Sequence, residues 1–509
     1  MKTKILIPAA LLTMGMAFTG CSDDFLEVTN PTQLTLDEYF NNEENVFASL
    51  VAAYDPLHWH DYNGAQYTSL NVVADVMSDQ MYKGGGNAAD CEYLYLAENF
   101  NQTPDNCISG LWTTFYSGIK RVNDCFGYIE NIPETSNTKR WKSELYTLRA
   151  YYYSLLWKFW GNIPYYDQNL KYPYTTKQLS DNWEEGSKLV YEKIIADLEK
   201  AISNGNLPIK AEKGEEGRVT RAFTYMIYAD VVLYQKDESR YSTAVKYMDA
   251  VIENYPLMEN YSDIWKTEGE WCQESVFEIN YNPVNGRTWS PAIEAAGANF
   301  PAFSAPNGFN GPAEICDNTG WGFCPLYPQV ADELFEAGDT RKEATVLDIR
   351  DEKYSGKYTA RFQNTGLFLN KYVPLATNRP ATGDAALSYG NNFRVFRSAE
   401  AYLNAAELVA KGATGAKSSA KEYVNAVQTR ANAEITDGSI REIVEEAAKE
   451  FVGEGKRYFI LVRNDMAAEK IVADEPNNRT SGYRAEHKYW PIPATEIKAD
   501  PELIQNPGY

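Results

Sequence analysis

The sequence predicts a mostly α-helical protein, in which paired helices form a scaffold and one long irregular stretch interrupts them. Three observations carry this expectation. Apolar residues recur three and four positions apart over much of the 509-residue chain. Two regions read as helix, short polar turn and second helix, with alanines where the helices would meet. Between those regions, residues 280–329 lose the helical period and become rich in Gly, Pro, Asn and large aromatic residues.

At the N-terminus, Lys2 and Lys4 precede an apolar stretch from Ile5 to Phe18, and small residues lead to Cys21. This is the layout of an export signal, and it is too short for a good membrane span. Phe18-Thr19-Gly20-Cys21 resembles a bacterial lipobox, which implies cleavage before Cys21 and acylation of that residue. Several acyl chains on one residue would fix the protein to a membrane, since a single chain binds only marginally. Residues 1–20 are therefore read as a lipoprotein signal peptide and 21–509 as a single body. An extended leader covers about 21–35 and includes Asn30-Pro31-Thr32.

A helical scaffold is expected over about 36–280 and 390–509. Leu36 to Tyr54 has a helical pattern, Asp55 to Tyr67 is irregular, and a helical stretch follows around Leu70 to Ser78. Leu145, Leu148, Tyr152, Leu155 and Phe159 share one helical face, ended by Gly161 and Pro164. Val190, Ile194, Leu198 and Ile202 repeat that stripe. Arg221 to Gln235 and Tyr241 to Tyr255 form a helix pair with Ala244 and Ala250 at close-packing positions, and Pro256 follows. The arrangement resembles a tetratricopeptide unit, and Ser398 to Lys411 with Ser419 to Ala433 reads as a second one. The segment of about 281–390 is expected to be a loop-rich insertion. It carries Trp289, Phe300, Phe303, Phe309, Trp321, Phe323 and Tyr327, too many aromatics for a disordered linker.

Composition narrows the partners. The net charge of −22 repels phosphate backbones and no Lys/Arg run offsets it, so nucleic acid is excluded as a natural partner. The content of 37 Tyr and 11 Trp is high, and such rings supply flat faces for stacking as well as core. Six cysteines besides Cys21 permit disulfides in an exported chain, with Cys316 and Cys324 the nearest pair in sequence. Only three histidines occur, so His58 and His60 do not read as a metal site. Gly84-Gly85-Gly86-Asn87-Ala88-Ala89 fits a GxGxxA string, but no buried strand precedes it. No Walker A loop, HExxH or GxSxG motif is found, and neither a cofactor nor a catalytic residue is assigned.

The segments Leu111–Pro133, Glu144–Pro164, Ile194–Leu233, Phe396–Glu407, Asn425–Ala431 and Glu450–Arg463 resemble consecutive blocks of the SusD/RagB family. The end, Tyr489–Tyr509, matches through Pro-Ile-Pro, Glu496, Asn506 and the final Gly-Tyr. Asn392 departs from the family, which often has an acidic residue before the helix of Arg397 and Glu400. The resemblance implies a SusD-like helical fold in which tetratricopeptide-type pairs support an irregular ligand-binding region. It also implies a lipid-anchored outer-membrane protein facing the cell exterior, which binds oligo- or polysaccharide and passes it to a SusC-like TonB-dependent transporter. A peptide-binding lipoprotein of the same type is the alternative, and a surface glycoside hydrolase a more distant one.

Arg149, Arg397, Glu400, Glu407, Glu454 and Arg457 sit beside apolar stripes and are expected to pair between helices, because buried charges persist only when partnered. The ligand site is sought in the loops. Sugar recognition needs a flat apolar surface for ring C–H groups, with amides or carboxylates near the hydroxyls. Three regions offer this: Trp59 with His58, His60, Asp61 and Tyr62; Asp79, Gln80 and Tyr82; and Trp289, Asn307, Asn310 and Trp321. Trp59, Asp79, Tyr82, Trp289 and Trp321 are the candidate ligand-binding residues.

Overall fold

The computed structural model describes residues 35–63, 65–170, 177–284, 286–289, 297–379 and 381–509. The signal peptide 1–20, Cys21 and the leader up to residue 34 lie outside them. Among the described residues no helix is long and apolar enough to cross a membrane.

The architecture is mostly helical. Helices Gly110–Ile129, Ser136–Trp160 and Trp183–Ser203 pack in succession, and Glu43–Tyr54 lies on the first of them. The Ser136 helix is the central one, and every residue from Thr147 to Trp160 is buried. It begins earlier than its apolar stripe implies because Thr135 and Thr138 form a reciprocal capping box. Gly161, at φ +73°, ends it where the ring of Trp183 leaves no room for a Cβ. The stretch predicted as one helix over 36–54 is broken, because Asn42 caps a new start by accepting the N–H of Asn45.

Both expected helix pairs are present. Arg221–Gln235 packs on Tyr241–Asn254, and Ser398–Ala410 packs on Ala420–Ala431. The Ser398 helix also lies against the Tyr241 helix, so the two pairs join into one body. Their seam is small: Ala244, Ala399, Ala401, Ala405 and Ala406 are fully buried.

Among the described residues two short antiparallel sheets complete the fold. Strand β1 (Ser275–Ile279) pairs with β4 (Phe393–Arg397), and β2 (Val346–Asp348) pairs with β3 (Leu367–Leu369). Strand β4 runs directly into the Ser398 helix, which ties the loop-rich region to the scaffold. Asn392 explains its own departure from the family pattern. Its amide Nδ2 donates to Glu278 at 3.0 Å while its Oδ1 accepts the Tyr281 N–H, and a carboxylate could not make the first bond.

The scaffold charges pair as expected. Arg149 forks onto Asp197 at 2.7 and 2.9 Å, Arg463 holds Glu407, and Lys456 meets Glu400 at 2.9 Å. Arg397 donates to Glu454 while also meeting Glu274 and Glu450. The cysteine expectation is corrected: all six described cysteines are free thiols. Cys324 lies in the main core and Cys316 in a separate apolar cluster with Phe309, Leu347 and Phe368, so nearness in sequence does not bring the sulfurs together.

Candidate functional site

The loop-rich region builds its surface from three backbone runs. The turn 299–305 is held from below by Asp61, whose two carboxylate oxygens accept the N–H groups of Asn299 and Phe300 at 2.6 and 3.1 Å. The run 321–323 then docks on that turn, with Trp321 N–H to Ala302 O at 2.9 Å, Gly322 N–H to Ala305 O and Phe323 N–H to Phe303 O. The third run, 382–389, pairs with Ala298 through Tyr389 and approaches Gly286 so closely that a Cβ there would lie 1.5 Å from the Thr382 carbonyl. That contact places Trp289.

On this frame the structure brings Trp289 and Trp321 together. Their rings stack at 5.7 Å between centroids with 22° between planes. Trp289 is 63% exposed, and its indole Nε1–H donates to Asp384 at 2.7 Å. Trp321 is half-buried against Ala302, Ala386 and Tyr389, with Tyr67 and Phe303 edge-on at 5.1 and 5.9 Å. Tyr67 in turn meets Tyr62, which carries the Arg287 guanidinium 5.0 Å above its ring. The result is an aromatic surface with one fully presented ring face and a carboxylate beside it. Chemically, that combination offers a flat face to C–H groups and a carboxylate edge to hydroxyls.

The Asp61 carboxyl is pushed up to about 6 by burial, against the opposing pull of its backbone donors and Arg287. His60 next to it is held down to about 3 by burial and by His58, so it is neutral and accepts the Leu70 N–H. Among the described residues no group of three or more His, Cys, Asp or Glu forms a metal-binding cluster.

The other candidates lie apart from the stacked pair. Trp59 is half-buried beneath the Arg121 guanidinium at 4.6 Å, with Arg121 paired to Asp55. Asp79 receives a fork from Arg457 at 2.8 and 2.8 Å. Tyr82 is fully buried, stacked on Tyr327 at 3.8 Å with its hydroxyl on Asp474. Asn307 spends its amide on Gly320 O. The three glycines 84–86 serve packing: Gly84 pairs with Phe323, and a Cβ on Gly85 would fall 2.3 Å from that ring. Sequence reasoning passed over Tyr67, Arg287 and Asp384, which reach the surface only through long-range loop contacts. The one local signal was Gly383, at φ +81° directly before Asp384.

Comparison with known proteins bears on this geometry. A model of the SusD family matches residues 43–509. The fold is similar to that of surface glycan-binding protein A from Bacteroides thetaiotaomicron in complex with laminarihexaose, at TM-score 0.84 and 38% identity, covering 91% of this chain and 99% of that one. A laminarin-binding SusD-like protein is similar at TM-score 0.81 and 30% identity, over 92% of this chain and 100% of that one. A SusD-like protein of Bacteroides ovatus is 23% identical over 517 residues, covering 96% of this chain and 87% of its own length.

Proposed function

The chain belongs to the SusD family, and from that premise we propose that it is a surface lipoprotein that binds a neutral glycan of the laminarin class on the Trp289–Trp321 surface. It delivers that glycan to a SusC-like TonB-dependent transporter in the outer membrane. The protein is a binding protein and not an enzyme, as are the surface glycan-binding proteins it resembles. The observation that supports the site is the stacked pair itself, an exposed indole face beside Asp384 in a chain similar to one solved with laminarihexaose. An exposed indole has no packing reason to be held flat by a hydrogen bond at its edge, whereas a sugar ring needs a face so fixed. Cys21 supplies the anchor in this reading, and the acidic surface suits a neutral polymer better than an anionic one.

The test is a screen of the chain from residue 22 onward against laminarin, starch, mixed-linkage β-glucan, xylan and pectin by affinity electrophoresis, with laminarihexaose calorimetry. Saturable binding of laminarin and the hexaose without release of reducing ends is expected. Binding of a different glycan would keep the site and replace the ligand class. Binding of peptides alone would overturn the reading, and reducing ends released from any polysaccharide would identify a hydrolase.

A further inference from the structure

Arg287 differs from the other buried arginines. It is 6% exposed, yet its guanidinium makes no hydrogen bond and no ion pair among the described residues. Arg149, Arg341, Arg397, Arg457 and Arg463 are as deeply buried, and each holds a carboxylate. The Arg287 guanidinium instead lies 5.0 Å above the Tyr62 ring, a contact that leaves its N–H donors unused. Nor is it walled in. The unpartnered Nε atoms of Arg394 and Arg430 are sealed from solvent, whereas no Arg287 nitrogen is. A cation stripped of most of its water, with free donors that can still be reached, calls for an acceptor from outside the chain.

The backbone fixes where those donors stand. Arg287 N–H donates to the Ser388 hydroxyl at 2.7 Å, and its carbonyl accepts the Asp384 N–H at 2.9 Å. Asp384 is the residue whose carboxylate holds the Trp289 indole, so the free donors and that carboxylate sit on two runs tied to each other. Tyr62 meets Tyr67 at 4.8 Å and Tyr67 meets Trp321 at 5.1 Å, and this line of rings joins Arg287 to the stacked pair. The charge also has a counterweight. Asp61 feels it from beyond ion-pair distance, with both of its own oxygens taken by the Asn299 and Phe300 N–H groups. With Asp61 and Asp384 on either side, a hydroxyl suits the guanidinium better than an anion does.

We propose that Arg287 is the specificity-determining donor of the glycan surface, where two of its N–H groups fork onto adjacent hydroxyl oxygens of the sugar ring next along from the one on Trp289. The inference rests on the proposed glycan surface and adds a polar contact to its stacking face. A ring lacking that hydroxyl pair leaves the fork unpaired and is rejected, which flat aromatic faces alone cannot achieve. The guanidinium is held in place before the ligand arrives, so little rotamer freedom is lost on binding.

The experiment titrates laminarihexaose by calorimetry into the chain from residue 22 onward, in the wild type and in Arg287→Met, Arg287→Lys and Trp289→Ala, with a thermal melt of each ligand-free protein. Arg287→Met should weaken binding about tenfold or more. Its melting temperature should stay at or above that of the wild type, because no hydrogen bond of the free protein is lost and an unpaired buried charge is removed. Arg287→Lys should bind nearly as weakly, since an ammonium cannot fork. Unchanged affinity in Arg287→Met overturns the assignment, and so does a melting temperature several degrees lower, which would make Arg287 a support of the loops. Full recovery in Arg287→Lys also overturns it, because charge acting through Asp61 would then suffice. Tighter binding of an oligogalacturonate than of laminarihexaose to the wild type would replace the hydroxyl pair with a carboxylate and overturn the neutral reading. Weakening in Arg287→Met with unchanged binding in Trp289→Ala supports Arg287 and removes the stacking face; the reverse removes Arg287 alone, and a wild type that does not bind the hexaose overturns both.

Discussion

Trp289 lies over Trp321 with 5.7 Å between ring centroids, and the outer ring keeps 63% of its surface exposed while the inner ring is packed on Tyr67 and Phe303. The two rings therefore contribute unequally. Trp289→Ala should weaken laminarihexaose binding about 2–10-fold, the range that ~0.5–1.5 kcal/mol of stacking implies. Its melting temperature should not move, since little of that ring is buried. Trp321→Ala removes the support under Trp289 as well as its own face, so its loss of binding should be larger and accompanied by a lower melting temperature. Calorimetry with a thermal melt of each variant checks this; unchanged binding in both would remove the site assignment.

Asp61 has the same standing beneath the surface as Trp321 has within it. Both of its oxygens accept backbone N–H groups of the turn on which Trp321 docks. In Asp61→Asn one of those N–H groups faces an amide NH2 and is left unpaired, a cost of about 1–3 kcal/mol. The expected result is a lower melting temperature together with weaker glycan binding, although Asp61 is buried and need not touch the ligand. Weaker stability with unaltered affinity would show that the turn holds its shape without this carboxylate.

How far the sequence could reach is visible in these two cases. Helix stripes and the alanine positions of the two pairs were legible because each follows a spacing of three or four residues; the scaffold charges were legible as groups that need a partner, but not which partner, since Arg149 finds Asp197 and Arg397 finds Glu454 on other elements. The stacked tryptophans were legible as residue types in an aromatic-rich loop. Their mutual placement was not, because it rests on contacts between positions as distant as Asp61 and Asn299, or Gly286 and Thr382. Tyr82 shows the opposite failure. It has the composition of a sugar-binding tyrosine beside glycines, yet its ring is covered by Tyr327 and the glycines serve close backbone packing. Aromatic residues are suited to both roles, and only tertiary packing separates them.

Stability should peak in mildly acid solution. Burial raises the carboxyls of Asp61 to about 6 and of Asp75 and Glu98 to about 7, above their ordinary values near 4. Groups raised on folding contribute stability that is complete below the unfolded value and lost as pH rises through the folded one, here between about 4 and 7. Glu407, Glu450 and Glu454 are held the other way, where surrounding Arg and Lys charges overcome burial, so their contribution fades as pH falls below the usual carboxylate range. Melting temperature measured from pH 3 to 9 should be highest near pH 5 and decline on both sides. Asp75→Asn should flatten the alkaline decline; an unchanged slope in that variant would exclude Asp75 as a source of it.

The charge cluster around Arg397 should carry far more stability than any surface pair. Arg397 is 1% exposed and touches Glu274, Glu450 and Glu454, which come from the lead into β1, from the last residue of the helix Ile440–Glu450 and from beyond that helix. Replacing it with Met fills similar volume but leaves three buried carboxylates with fewer cations, and Arg430, Arg341 and Lys371 cannot move to cover all of them. Breaking one partner of such a buried group costs about 3–5 kcal/mol. Arg441, by contrast, meets Glu469 at 2.8 Å with both side chains more than half exposed, and Arg441→Met should leave stability unchanged. Urea unfolding of the two variants decides between them. Since Arg397 lies in the scaffold, any Arg397→Met protein that still folds should bind laminarihexaose as the wild type does, and selective loss of binding in it would mean that the cluster sets the geometry of the loops above β4.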